Sequence, residues 1–321
     1  MRPTEESDYD NLARIKVIGV GGGGGKALDE MICRPLHKSI EYIAVNTDIQ
    51  ALERSLASQT IQIGTKLLRG SGARSDPELG RQAAIEDYER IKDALDEADM
   101  VIIVACMGGG MGTGAAPVIA HIAQELGALT VPIVTRPFFF EGKKRSHNAE
   151  QGITELLALQ LSLIVIPCDA TLLPRRKGIA YSDFEMLIRV DRALCTAVQG
   201  ITDPILLKGL ICYDFADHRA ILTTPGIGVV GIGKASGPSR ARDAAMQAIS
   251  SPLFAGICIN FAQGVLAHFR CGQDYAIDEI AEASSVIQEA AHEEAWFYMT
   301  VCVDELLNDE MHIIVTATGL T

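Results

Sequence analysis

The sequence predicts an α/β protein in which a parallel-sheet domain is joined by a long central helix to a second, smaller α/β domain. Three observations predict it. The first half alternates short β-branched runs with helical stretches, the pattern of a parallel sheet covered by helices. Two glycine-rich segments, Gly21 to Gly25 and Gly108 to Gly114, each follow a strand-like run and precede a helical one. A stretch from about Ser182 to Ile201, apolar at Phe184, Leu187, Ile188, Leu194 and Val198, reads as one long helix, and the pattern changes after it.

Taken in order, Ile15 to Gly19 is expected as the first strand, with glycines and then a helix from about Lys26. Tyr42 to Val45 is the second strand, ending at Asn46-Thr47-Asp48. Pro77 to Glu97 reads as one polar amphipathic helix, and Met100 to Ala105 as a buried strand. Another glycine segment and helix follow, then the strand Leu129 to Val134, a helix over Asn148 to Leu159 and the strand Leu163 to Ile166. Beyond the long helix, strands are expected at Gly209–Tyr213, Gly228–Ile232, Ile257–Phe261, Trp296–Val303 and Met311–Thr318, with helices at Arg240–Ser250 and Ala276–Ala290. The expected division is an N-terminal domain over residues 1–178, the central helix over 179–201 and a C-terminal domain over 202–321.

Composition narrows the function. A chain of 321 residues with 48% hydrophobic but only 5% aromatic residues must build an aliphatic core. Its formal charge of −13 argues against nucleic acid as the main ligand. A polyphosphate can still be held, provided the site offers backbone N–H groups, a helix N-terminus or a metal. No apolar run reaches the ~18 residues of a membrane span, and the N-terminus has no signal-peptide core, so the expectation is a cytoplasmic protein with no direct membrane insertion. The eight cysteines stand singly, which reads as reduced, mostly buried thiols with no metal site.

Five consecutive glycines, Gly21 to Gly25, let a backbone turn tightly and approach a phosphate, and Lys26 could add a cation. Alone, such a segment is also compatible with a ligand-free turn, and it does not separate NAD, FAD, ATP and GTP. The second segment, Met107-Gly108-Gly109-Gly110-Met111-Gly112-Thr113-Gly114-Ala115-Ala116-Pro117, is sharper. Two such loops in one chain do not look like a dehydrogenase, and no Gly-x-x-x-x-Gly-Lys-Ser/Thr occurs. An oxidoreductase would also need an acidic residue about 20 positions past the glycines, where Glu41 is badly placed at a strand start.

Gly108-Gly109-Gly110-Met111-Gly112-Thr113-Gly114 resembles the tubulin signature. With Ala44-Val45-Asn46-Thr47-Asp48, Pro137-Phe138-Phe139-Phe140-Glu141-Gly142-Lys143-Lys144-Arg145, Val198-Gln199-Gly200-Ile201 and Asp214-Phe215-Ala216-Asp217 in order, the chain resembles the FtsZ family of tubulin-superfamily GTPases from about Ile15 to Gly319. The resemblance implies a GTP-binding protein that polymerises head to tail with itself in bacterial cell division. GTP or GDP would be its ligand, with Mg²⁺ held mainly by the phosphates. It assigns Gly22, Gly23, Gly24, Gly25 and Lys26 to the first phosphate loop and Gly109, Gly110, Met111, Gly112 and Thr113 to the second. Gly72, Ala73 and Arg74 would face the γ-phosphate, Glu141 and Arg145 the ribose and phosphate side, and Asp191 the guanine edge. A carboxylate suits guanine because it accepts from both N1–H and the 2-amino group; an isolated Asp on a helix is otherwise simply a solvated residue. Asp214 and Asp217 would enter the next subunit's pocket as catalytic carboxylates.

The departures from the family pattern are Lys26 for Asn, Met111 for Thr, Arg74 for Gly, Cys168 and Cys212 for Asn, and Leu187 for the aromatic near the base. They keep open a paralogue that binds nucleotide and assembles but hydrolyses slowly or not at all. In the family a tail beyond the globular core contacts membrane-anchor and division proteins; these 321 residues carry no counterpart of it.

Overall fold

The computed structural model describes residues 13–34, 37–70, 72–172, 182–207, 209–211 and 213–320. In chain order it contains β1 (Ile15–Val20), α1 (Gly21–Cys33), β2 (Glu41–Asn46), α2 (Ile49–Glu53), β3 (Gln59–Gln62), α3 (Thr65–Leu68), α4 (Pro77–Glu86), α5 (Tyr88–Leu95), β4 (Met100–Cys106), α6 (Gly110–Glu125), β5 (Leu129–Arg136), α7 (Lys143–Ala158) and β6 (Ser162–Pro167). The long helix α8 (Asp183–Leu206) follows, then α9 (Phe215–Leu222), β7 (Gly226–Ser236), α10 (Arg240–Ile249), β8 (Gly264–Cys271), α11 (Ile277–Ala290), β9 (Trp296–Val303) and β10 (Glu310–Leu320).

The strands form one sheet in the order β3-β2-β1-β4-β5-β6-β7-β10-β8-β9. The first six are mutually parallel, and β7, β10 and β8 pair antiparallel. Ser162, Leu163 and Ile164 of β6 pair in parallel with Gly226, Ile227 and Gly228 of β7, so both halves of the chain share a continuous sheet.

Strand β4 shows why the first half reads as unbroken apolar runs. Met100, Ile102 and Val104 enter the core under α1 and α8, whereas Val101, Ile103 and Ala105 enter the core under the helices of the other face. A parallel strand covered on both faces needs apolar residues at every position. Helix α8 starts with a capping box in which the Ser182 hydroxyl accepts the Glu185 N–H and the Glu185 carboxylate accepts the Ser182 N–H. It buries Val190, Leu194, Ala197, Val198 and Ile201 in a core shared with Val230, Leu266 and Ile314 of the C-terminal half. That apolar stripe is what joins the halves.

Several expectations are corrected. The five glycines form the first turn of α1 rather than a loop before it. The stretch from Pro77 to Glu97 is two helices, because Asp87 leaves helical geometry (φ −107°, ψ 26°) and its carboxylate accepts the Gly64 N–H at 2.8 Å. Helix α8 runs past Ile201, through Pro204, to Leu206. The expected strand at Gly209–Tyr213 contributes only a bridge between Ile211 and Val301, and Cys212 lies outside the described residues. Ile259–Phe261 is a 3₁₀ turn; the strand of that region is β8, which the sequence reading missed. His268 and Arg270 interrupt its apolar pattern, yet His268 is buried, 1% exposed, facing Asp203.

Candidate nucleotide site

The site begins with topology. From β1 the chain turns outward to β2 and β3, then returns to place β4 on the other side of β1, followed by β5 and β6. Between β1 and β4 the winding reverses, and the crevice at their carboxyl ends is where an open α/β sheet receives ligands. Helices α1 and α6 both start there, directly after β1 and shortly after β4. Neither has a capping side chain: Val20 and Gly109 occupy the N-cap positions without a side-chain bond to the first turn. Two adjacent helix N-termini thus present unclaimed N–H donors and positive dipole ends, an arrangement suited to a polyphosphate.

The glycines divide into two kinds. A side chain at Gly22, Gly25, Gly72 or Gly109 would point into open space, so those positions leave room against the backbone. A Cβ on Gly23 would meet Cys106, on Gly24 the carbonyl of Val104, on Gly112 the carbonyl of Cys106, and on Gly110 Ala73 and Asp76. These four let α1 and α6 sit tightly on the sheet and on the loop before α4.

In the second segment Met111 turns inward, 7% exposed and packed over Gly21. The buried Thr113 hydroxyl accepts the Gly108 N–H at 2.8 Å and braces the turn. Gly108 itself has φ +100°, a conformation that a side chain would strain. Arg74 is exposed with φ +45°, left-handed backbone at a position where the family pattern has glycine.

Beside these turns lies a cavity of about 470 Å³, lined among others by Lys26, Phe138, Glu141, Arg145, Leu187 and Asp191. Through Gly22 and Lys26 it adjoins a second cavity of about 510 Å³ that reaches Asn46 and Asp48. Glu141 is held firmly: Oε1 accepts the Phe138 N–H at 2.8 Å and Oε2 pairs with Arg145 at 2.8 Å. Burial pushes the Asp191 carboxyl up to about 6; Glu30 pushes the same way and Lys26 opposes both. Lys26 lines both cavities, and its charge reaches Asp191. Cys106 and Cys168 also line the cavity, and burial raises both thiols, Cys106 to about 11, so both remain protonated. The sequence reading missed the wall formed by Phe138 and Phe140, stacked at 5.0 Å; the aromatic run after Pro137 was its signal. The open glycine backbone, the uncapped helix ends and a half-buried carboxylate fit a nucleoside polyphosphate.

Asp214 and Asp217 are not part of this cluster. Asp214 is the N-cap of α9, its Oδ1 accepting the Asp217 N–H at 2.9 Å, while Asp217 Oδ2 accepts the Asp214 N–H at 3.3 Å. On the same short helix, the Arg219 guanidinium reaches the carbonyls of Asp99 and Gly127 at 3.5 Å. Those carbonyls lie just before β4 and β5, at the amino edge of the strands whose carboxyl ends carry the glycine turns. The seven residues of β4 alone, at about 3.3 Å each, put the two edges roughly 20 Å apart.

A parallel sheet with two glycine-started helices at its switch point and a long core helix behind it defines a nucleotide-binding protein of tubulin type. The model of the Tubulin/FtsZ family, GTPase domain, matches residues 14–172, and that of the FtsZ family, C-terminal domain, matches residues 226–321. The chain is 46% identical over 316 residues to the cell division protein FtsZ of Buchnera aphidicola subsp. Acyrthosiphon pisum (strain APS), covering 98% of this chain and 82% of that one. It superposes on the FtsZ dimer of M. jannaschii, solved empty, with TM-score 0.90 at 34% identity, covering 98% of this chain and 93% of that one. A GTPγS-bound protofilament of CetZ2 from Haloferax volcanii gives TM-score 0.78 at 21% identity over 96% and 93% of the two chains, a likeness of fold alone. This chain belongs to the FtsZ family of tubulin-fold GTPases. The oxidoreductase alternative falls with it: Glu41 begins β2, far from the glycines, and pairs with Lys16 at 3.5 Å. Among the described residues no helix is long and apolar enough to cross a membrane.

Proposed function

We propose that this chain binds GTP in the crevice between β1 and β4, assembles head to tail with copies of itself, and hydrolyses GTP where two subunits meet. The observation that carries this reading is the separation of the glycine turns and the Asp214–Asp217 pair to opposite edges of one sheet. A carboxylate at the amino edge serves a nucleotide at the carboxyl edge only if the two belong to different subunits stacked along the strands.

Each group has a defined task in this reading. The N–H groups at the starts of α1 and α6 hold the phosphates, with Thr113 fixing the second turn. Gly72, Ala73 and Arg74 border the γ-phosphate, where the Arg74 guanidinium adds a charge-assisted contact. The Glu141–Arg145 pair faces the ribose side, and Asp191 accepts from the guanine N1–H and 2-amino group. Asp214 and Asp217 of the neighbour orient and polarise the attacking water. The bound nucleotide supplies the phosphoryl group; Mg²⁺, when bound, would be held mainly by the phosphates and would neutralise their charge. Among the described residues no group of three or more His, Cys, Asp or Glu side chains is placed to cage a metal. The setting is the cytoplasm at the division site, and the self-assembling filament is the principal partner.

A slow-turnover variant of the same reading is favoured by Met111, which places a buried thioether where the family pattern has a hydroxyl. Turnover of GTP measured across protein concentrations separates the cases. Shared-site hydrolysis predicts turnover per molecule that rises steeply with assembly; filaments with GTP bound but no turnover leave the slow variant; turnover independent of concentration refutes the shared site.

A further inference from the structure

The loop before α4 is held in a costly shape. Asp76 N–H donates to the Ala73 carbonyl at 2.8 Å, closing a turn whose two central residues, Arg74 and Ser75, have φ of +45° and +59°. A turn with positive φ at both central positions is ordinarily made from Gly, Asn or Asp, because other side chains crowd the backbone there. Such a conformation persists only where its surroundings impose it. The side chains of Arg74 and Ser75 are exposed, so the hold comes from elsewhere. Asn148 supplies it. It lies in the second turn of α7, 8% exposed, and its Nδ2 donates to the Ser75 carbonyl at 3.4 Å and to the Gly108 carbonyl at 3.5 Å. One amide nitrogen carries two N–H donors, enough for both acceptors. Helix α7 is itself seated on the second glycine turn: a Cβ on Gly108 would meet the Arg145 carbonyl at 2.9 Å, and one on Gly152 the Thr113 side chain at 2.8 Å.

We infer that Asn148 is a positioning residue for the terminal phosphate: its amide ties the strained turn from Ala73 to Asp76 to the second glycine turn, so the loop stands in place before nucleotide arrives. The inference rests on the reading that Gly72, Ala73 and Arg74 border the γ-phosphate. GDP has no group for this loop to meet. The clamp therefore acts on the preference for GTP over GDP, and the phosphates common to both stay with the starts of α1 and α6. Holding a binding loop in its bound shape raises affinity by removing the cost of ordering it.

Asn148→Ala removes both donors. Below the protein concentration at which filaments sediment, its affinity for GTP should fall about three- to tenfold, the worth of one net hydrogen bond, while its affinity for GDP stays within about twofold of wild type. Adding Ser75→Gly to Asn148→Ala should recover most of that loss, because glycine holds positive φ without a clamp. An Asn148→Ala protein with the wild-type preference for GTP overturns the inference. So does one whose GTP and GDP affinities fall in parallel, because Asn148 is then a packing residue, and so does a double variant that recovers nothing. Arg74→Gln, measured alongside, separates the inference from the reading beneath it. If Arg74→Gln lowers the preference for GTP and Asn148→Ala does not, only the clamp fails; if neither variant changes it, the γ-phosphate reading of the loop fails as well.

Discussion

Among single residues, Asp191 and Asp203 share a chemistry and differ in use. Both carboxyls are raised to about 6 by burial. Asp191 faces the cavity, and only its charged form can accept two hydrogen bonds from guanine. GTP affinity should therefore be flat above pH 7 and fall as the pH drops through about 6, while the weaker ATP affinity changes little. A competition titration at pH 7.5 and 5.5 checks this, with a GTP preference of about tenfold to a hundredfold narrowing at the lower pH. Asp203 lines neither of the two cavities beside the glycine turns. It is 2% exposed near the end of α8, with His268 Nε2 at 3.9 Å and Arg270 at 4.0 Å; Arg270 and Gln199 offset its burial only in part. Its folded-state carboxyl lies above the ordinary 3.8, so charging it opposes folding: the stability is complete below about pH 4 and is lost as the pH rises through about 6. A shift of that size corresponds to about 3 kcal/mol. Relative to wild type, Asp203→Asn should gain on the order of 2–3 kcal/mol between pH 4 and pH 7.5, read from denaturant melts at the two pH values.

For whole elements, the two kinds of glycine predict opposite phenotypes. A Cβ on Gly114 would run into the Pro77 carbonyl and the Arg81 N–H, where α6 crosses α4, so Gly114→Ala should destabilise by about 1–3 kcal/mol. Gly22→Ala meets nothing and should leave the Tm unchanged or slightly raised, since Ala is the better helix former by up to about 1 kcal/mol. It should nonetheless weaken GTP binding, because the methyl group occupies the phosphate side; thermal melts with and without GTP separate the two effects. This distinction was not legible in the sequence, where all the glycines looked alike. What was legible follows from physics: strands covered on both faces stand out as apolar runs, and α8 as a periodic stripe. What failed has equally local causes. β8 was lost because its buried His268 and half-buried Arg270 read as surface residues, and the short β3 because Gln59 and Gln62 flank only one buried apolar residue, Ile61. The break at Asp87 needed a partner, Gly64, that lies 23 residues away. Likewise, Asp214 and Asp217 could be named from a motif, but their capping geometry and their place at the far edge of the sheet belong to the tertiary structure.

At the scale of the molecule, the proposed site is split: the glycine turns lie at the carboxyl edge of β1 and β4, and the helix that carries Asp214 and Asp217 reaches the amino edge, where its Arg219 meets the carbonyls of Asp99 and Gly127. The chain itself carries a formal charge of −13, so bringing two copies together works against net repulsion, and assembly should be promoted by salt and by Mg²⁺. The measurement that tests the split site most directly is complementation. Asp214→Ala should keep its GTP affinity and lose turnover by ~10²–10⁴-fold, since a water-polarising carboxylate contributes little to ground-state binding. Gly109→Asp should abolish GTP binding without disturbing the fold, because a side chain there meets open space and its carboxylate would stand where the phosphate must lie. Each variant alone is then nearly inactive. Mixed, with co-assembly verified by sedimentation, they should recover turnover, because the intact aspartates of the Gly109→Asp subunit meet the intact pocket of an Asp214→Ala subunit. Co-sedimenting filaments with no recovered turnover would contradict the account.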